Sequence, residues 1–130
     1  MRAHSYDYAI VRVVPRVDRE EFVNVGVILA CQSRDFLEAR IELDIKRLAA
    51  LDPNADLATI QTHLQGIPLV AIGGVQAGPI GKLTQRERFH WLVAPRSTII
   101  QTSAVHTRLC RDPAAALEHL LITMVRLTQP

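Results

Sequence analysis

The sequence predicts an α+β fold, a single two-layer domain spanning residues 1–130 with a mainly antiparallel sheet. Its 130 residues are 48% hydrophobic and 22% charged, which is typical of one globular domain and excludes a disordered or fibrous chain. Three apolar segments with strand-like patterns lie within residues 6–43, joined by short polar connections. Apolar residues at helical spacing follow in the middle of the chain and at its end.

The first three segments predict a meander of three strands. Residues 6–14 are apolar on both faces and end at Pro15, so this strand is expected at the centre of the sheet. Residues 22–32 alternate at period two, which predicts that their odd-numbered residues share one face. Gly26 interrupts the other face and indicates a bulge or a close approach of backbone. Residues 36–43 have one polar face and are expected to form a hairpin with 22–32.

Two short helices are expected after the meander. Asp44 is placed to cap the first, and Asp52 with Pro53 would stop it. Asp56 is placed to cap the second, and Gly66 would end it.

Residues 66–87 contain five of the six glycines and predict a long irregular loop. Such a loop in a compact domain is either functional or mobile. Glycine-rich backbone can bind a phosphate, but the order of a nucleotide-binding P-loop is absent, and glycines in loops more often permit turns. The candidate mobile glycine loop consists of Gly73, Gly74, Gly78 and Gly81.

The last third of the chain predicts a strand pair and a C-terminal helix. Residues 88–94 and 98–103 are expected to be the two strands, separated by a turn at Pro95. Asp112 followed by proline is a strong helix start, and leucines keep helical spacing as far as Leu127. The predicted sheet therefore packs against two short helices and this C-terminal helix.

Candidate metal ligands and nucleophiles are sparse. His106 and Cys110 are four residues apart, but zinc sites usually combine two such closely spaced pairs. A Cys–His nucleophile would need a third orienting group, and no motif supplies one. We therefore expect no metal, no cofactor and no nucleophile chemistry, while catalysis of another kind stays open.

Residues 87–97 combine aromatic bulk with two polar side chains, His90 and Arg96. In one interpretation the aromatic residues are core and His90 bonds to backbone. In the other, both polar side chains lie at a sheet end beside Arg12, Arg16 and His106. That arrangement would form a basic pocket for a phosphate or carboxylate.

Four separated blocks of the sequence together indicate a known family. They are YDYAIVRVVPR at 6–16, EFVNVGV at 21–27, RFHWLVAPRS at 88–97, and His106-Thr107 through Cys110 to the Asp-Pro pair. They resemble the bacterial family called domain of unknown function 3037. Arg108 stands where that family has a glycine, which puts a tight turn there in doubt. The resemblance implies a single-domain protein without an established activity. It also implies that some members are encoded beside a HipA-like kinase, a toxin-type serine/threonine kinase. The blocks suggest one anion or partner site, with candidate residues Arg12, Arg16, Asn24, Gly26, His90, Arg96 and His106.

Three functions follow from these observations. The favoured one is a non-catalytic accessory or regulatory protein that binds a protein partner, with a HipA-like kinase as the candidate. The alternative is a phosphate-ligand-binding domain or small enzyme that uses the basic His/Arg site. Nucleic-acid binding ranks last, because the net charge is only +2.

The expected location is the bacterial cytoplasm. The chain has two cysteines, no signal-peptide pattern and no apolar run that would span a membrane. A homodimer remains open, since a small sheet with an exposed edge often pairs with a second copy.

Overall fold

A long central strand, β1, organises the sheet in the computed structural model, which describes residues 2–96 and 98–127. Within these residues the order is β3-β2-β1-β4, and β5 pairs with the first half of β1. Every pairing is antiparallel, so the α+β class, the antiparallel sheet and the N-terminal meander are confirmed. The strands are β1 His4–Val13, β2 Val23–Cys31, β3 Phe36–Ile41, β4 Ile100–Thr102 and β5 His106–Cys110.

Helices cover both faces of this sheet, so the domain has three layers where the sequence suggested two. One face packs against α1, α2 and α3, and the other packs against α4 and a π-helical turn. Two separate apolar cores result, with β1 and β2 contributing to both. The helices are α1 Ile45–Leu51, α2 Leu57–Ile72, α3 Gln85–Val93 and α4 Pro113–Leu120, and the π-helical turn is Leu121–Val125.

The second helix is longer than the sequence predicts. Asp56 caps α2 as expected, but the helix passes through Gly66 and Pro68 and ends at Gly73, where φ is +81°. Glycine and proline both weaken a helix interior. Burial of Val70 and Ala71, together with Leu64 before the proline, offsets that cost. The loop predicted over 66–87 is therefore wrong at both ends, because 66–72 belong to α2 and 85–87 belong to α3, and Val75–Lys82 between them form 3₁₀ turns.

The predicted strand over 88–94 is wrong, because residues 88–93 belong to α3 and Ala94 is its C-cap. A capping box starts this helix: the Thr84 hydroxyl accepts from the Glu87 amide, and the Glu87 carboxylate accepts from the Thr84 amide. Phe89 and Leu92, three residues apart, then both face the core.

The predicted late strand pair is also different. The strand expected over 98–103 is confirmed only as the short β4, which pairs with β1 rather than with 88–94. The second late strand is β5, which also pairs with β1. Its extended backbone means that no tight turn is present at Arg108.

A bulge in β2 changes which side chains face which core. The register pairs Val11 with Gly26 and Arg12 with Asn24, so Val25 is the extra residue. Val23 and Val25 consequently lie in the core under α1–α3, whereas the odd-numbered residues after Gly26 lie under α4. The expectation that all odd residues share one face is wrong, while the bulge expected at Gly26 is confirmed.

Residues 124–126 are held by side chains from β2, from α1 and from the residue after β3. Asp112 caps α4 as predicted, but the regular helix ends at Leu120, and Leu127 is exposed rather than on a helical stripe. The last π-helical carbonyls accept bonds from Asn24 and Arg47, at 3.0 and 2.7 Å. Arg126 then binds two carboxylates, those of Glu42 on the β3 side and Glu118 on α4, with contacts of 2.6–2.7 Å.

Replacing Gly26 with alanine should destabilise the fold by about 1–3 kcal/mol. A Cβ there would lie 2.6 Å from the Arg40 carbonyl oxygen and 2.6 Å from a methyl of Ile41, so β3 would have to move. The matched control is Gly66→Ala, where a Cβ meets nothing within 4 Å. That change should stabilise α2 by about 0.5–1 kcal/mol. Urea unfolding of both variants measures the difference, and equal stabilities would contradict the crowding at Gly26.

Acid should weaken the ion pairs that Arg126 makes with Glu42 and Glu118. Hydrogen bonds from Arg126 hold the pKa values of Glu42 and Glu118 below the ordinary 4.5. Because the folded pKa values are depressed, their stabilisation is present above pH 4.5 and is lost as the pH falls below it.

The Arg126→Gln variant lacks this contribution. Its melting temperature should therefore fall less than that of the wild type between about pH 5 and about pH 3. Arg16→Gln, which removes an exposed pair, serves as the control and should follow the wild type. An equal fall in melting temperature for the wild type and Arg126→Gln would contradict a contribution of these ion pairs to the pH dependence of stability.

Candidate functional site

The structure brings together two of the residues proposed for a single site, Arg12 and Asn24. They are partners in the β1–β2 register and share the face that packs against α4. The Arg12 guanidinium lies 4.2 Å from the centroid of the Phe22 ring, which is a cation–π contact. Asn24 donates to the carbonyl of Met124. The buried Nε of Arg12 and the buried Oδ1 of Asn24 have no hydrogen-bond partner among the described residues. Asn24 therefore ties β2 to the π-helical turn, and the pair keeps two buried polar atoms unused.

Two other candidates lie apart from that pair and are exposed. Arg16 follows β1 and makes a 3.7 Å ion pair with Asp18. His90 lies on α3, with its ring 6.0 Å from that of Phe89. Exposed groups with such contacts contribute little to stability and are not aimed at a common point.

Arg96 closes the end of α3. Its guanidinium donates to the carbonyls of Trp91, Leu92 and Ala94, and lies 4.7 Å from the centre of the Trp91 ring. These are the carbonyls that a helix leaves without partners, and a cation is favourable beside them. Arg96 is therefore a helix cap whose guanidinium is held in one orientation.

His106 and Cys110 lie on β5, not on a helical turn. The His106 ring is 5.4 Å from that of Tyr8, and three extended residues separate His106 from Cys110. Burial raises the pKa of the Cys110 thiol, and the neighbouring Cys31 raises it further. A raised pKa leaves less thiolate, the opposite of an activated nucleophile.

The glycine segment has defined backbone contacts. Residues Val75–Lys82 form 3₁₀ turns, and the Gly74 amide donates to the Gly81 carbonyl. A Cβ on Gly73 would lie 2.8 Å from the guanidinium carbon of Arg88, which donates to carbonyls of α2 and to Leu83. The glycines Gly73, Gly74, Gly78 and Gly81 therefore serve turns and close approaches, and Arg88 bridges their segment to α2 and α3.

The most exposed part of the sheet is β5. Its outer side pairs with no strand in residues 2–96 and 98–127. Leu109 is 72% exposed, and the preceding Val105 is 43% exposed. We call residues 105–109 the β5 edge. A free edge with exposed apolar side chains is a template for pairing with another chain.

The surroundings of the β5 edge are basic. Arg34, Arg108 and Arg111 make no ion pair with any residue that the structure describes, and Arg34 donates to the Arg111 carbonyl. The nearby Asp7 is already bound by Arg86 and by the Thr107 hydroxyl. Arg108 lies over the Tyr8 ring, 5.2 Å from its centroid. The edge therefore presents arginines that have no carboxylate partner among the described residues.

A second surface feature is a groove of about 530 Å³ between α2, the end of α3 and β4. We call it the α2–α3 groove. Its lining is mostly apolar, and Trp91 and Arg96 lie on one side while His63 and Gly66 lie on α2. Cavities of this size and character are typical of small-molecule sites.

Of these two surface features, the β5 edge has no signal in the sequence, whereas the groove has one. Residues 106–110 have no apolar alternation, so β5 is indicated only by its pairing with β1. The groove depends on α3 being a helix, which the Thr-x-x-Glu pattern at 84–87 indicates.

Across residues 2–96 and 98–127, no three His, Cys, Asp or Glu side chains cluster to hold a metal, and no helix is long and apolar enough to cross a membrane.

Arg96→Ala removes the three hydrogen bonds that Arg96 donates to the carbonyls at the end of α3. It should therefore lower the free energy of unfolding by about 1 kcal/mol. His90→Ala on the same helix should change it by less than about 0.5 kcal/mol. Urea unfolding monitored by circular dichroism measures both. An Arg96→Ala variant as stable as His90→Ala would contradict the capping role.

Comparison with known proteins identifies the family. No curated protein and no solved structure matches the chain. One family model, described as "Protein of unknown function (DUF3037)", matches residues 8–125, which run from the middle of β1 to the end of the π-helical turn. The match covers nearly the whole chain and agrees with the resemblance carried by the four sequence blocks. The chain therefore belongs to the DUF3037 family.

Proposed function

We propose that this chain is a non-catalytic accessory or regulatory protein of the bacterial cytoplasm that binds a protein partner along the β5 edge. The observation that carries the proposal is the exposed, basic edge with Leu109 at its end. In this mode an extended segment of the partner adds a strand to the sheet. Main-chain hydrogen bonds then give affinity, and side-chain contacts give specificity.

The backbone register indicates which residues would pair with the partner. On this side of β1, bonds join Val14 to Ile99 and Ile10 to Ser103, so even-numbered β1 residues face β4 and β5. Antiparallel ladders alternate, and Arg108 is in register with Tyr6. Arg108 therefore bonds inward, and the backbone groups of Thr107 and Leu109 point outward.

Charge favours an acidic partner over a second copy of this chain. Arg108 is the middle residue of β5, so a twofold antiparallel pairing that is centred on β5 and uses its full length would place the two Arg108 residues opposite each other. Like charges directly opposite destabilise a strand pair. An extended segment with Asp or Glu side chains would instead compensate Arg108, Arg34 and Arg111.

The competing functions have less support. A phosphate-ligand site or small enzyme would need its His and Arg side chains to converge, whereas Arg96 caps α3 and His106 stacks on Tyr8. Nucleic-acid binding would draw on the same exposed arginines, but the net charge of +2 provides a weak field.

The partner class to test first comes from the family resemblance, which associates some members with a HipA-like kinase. The tagged protein is purified from its own cells, and co-purifying proteins are identified and quantified by mass spectrometry. We expect a stoichiometric partner, with the HipA-like kinase as the named candidate. Thr107→Pro and Leu109→Pro should each lower its recovery at least about tenfold, because proline removes an outward N–H.

Thr107→Ala keeps the N–H and should retain the partner, while Val17→Ala tests an exposed valine elsewhere. Circular dichroism and thermal unfolding of all variants verify that the sheet is intact. The proposal is wrong if no stoichiometric protein is recovered, if both proline variants keep the partner, or if the only partner is a second copy of the chain.

A further inference from the structure

We infer that the α2–α3 groove is a binding site for a small organic acid with an apolar body. The groove has a volume of about 530 Å³, enough for a ligand of modest size. This site is separate from the proposed partner edge, because β4 lines it and β5 does not. Its main apolar surfaces come from Ile60, Ile67, Trp91, Leu92, Ile99 and Ile100.

The charge of the lining selects an anion. Arg96 and His63 are its basic side chains, and none of the described residues that line the groove is acidic. Threonine and glutamine side chains supply the other polar groups. An apolar ligand with one carboxylate would match a mostly apolar wall with a cation at its end, whereas a polyphosphate would leave most of that wall without a partner.

Arg96 keeps N–H donors that can bind a carboxylate after its bonds to the α3 carbonyls are made. Its bonds to Leu92 and Ala94 use Nη1, and its bond to Trp91 uses one hydrogen of Nη2. Among the described residues, Nε–H and the second Nη2 hydrogen have no acceptor. These two donors form the parallel fork that binds a carboxylate through both oxygens. The carbonyl bonds and the Trp91 ring fix the orientation of this fork before a ligand arrives.

Gly66 is a second, independent indication of a ligand. It lies inside α2 and lines the groove, yet a Cβ at this position would meet nothing within 4 Å. Packing therefore does not require glycine, although glycine weakens the helix. A larger side chain here would fill the floor of the groove. The absence of a side chain at Gly66 therefore leaves this part of the groove open to a ligand.

The test uses Trp91, the sole tryptophan of the chain, as an intrinsic fluorescent reporter in the groove. The probe is 4-phenylbutyrate, with 4-phenylbutan-1-ol as its neutral counterpart of the same body. We expect saturable fluorescence change with the acid and binding of the alcohol that is about tenfold to a hundredfold weaker, because the paired charge-assisted bonds are lost.

Three variants separate the parts of the site. Gly66→Leu should abolish binding of both probes, and Gly66→Ala should keep an intact fold with weaker binding. Arg96→Gln should reduce binding of the acid to the level of the alcohol, while the control Arg16→Gln should leave it unchanged.

Saturable binding of the acid that depends on both Arg96 and the open floor supports the inference. Equal affinity for acid and alcohol, no binding of either probe to the wild type, or unchanged binding by Gly66→Leu would overturn it. Binding of small acids is measured on the isolated chain, so its failure does not bear on the β5 edge. Loss of a protein partner in the proline variants likewise leaves this groove untouched.

Discussion

The bulge between β1 and β2 is the constraint on which both cores depend. One extra residue, Val25, shifts the side chains of β2 so that each half of the strand serves a different core. The shift places Asn24 beside Arg12, on the face where it reaches the carbonyl of Met124. Gly26 allows β3 to approach closely at the same point. The position of the C-terminal segment therefore follows from an irregularity near the start of the chain.

The same central strand explains why an edge remains open. Two short strands, β4 and β5, share one side of β1, and Ser103 fills the ladder between them by accepting from the Ile10 amide through its hydroxyl. Because β5 lies after this interruption, it ends the sheet beyond the cover of α1–α3. The exposure of Leu109 is a consequence of that position. The proposed partner surface thus arises from how the sheet is completed.

Local signals predicted the parts of the fold that local chemistry decides, including the meander, the Asp44, Asp56 and Asp112 caps and the Gly26 bulge. The remaining errors have tertiary causes. Burial carries α2 through Gly66 and Pro68, and β5 forms by pairing with residues about 100 positions away. The aromatic run in α3 is typical of a strand, and its capping box was the better signal. The candidate site residues were chosen without spatial information, and the structure brings Arg12, Asn24 and Gly26 together at the bulge.

Amide hydrogen exchange on the β5 edge tests the central claim most directly. In the isolated protein, the outward amides of Thr107 and Leu109 should exchange rapidly, whereas the inward amide of Arg108 should be protected. In the complex purified from cells, all three should be protected, because a partner strand would occupy the outer side. Protection of Thr107 and Leu109 in the isolated protein, or their continued rapid exchange in the complex, would contradict the account.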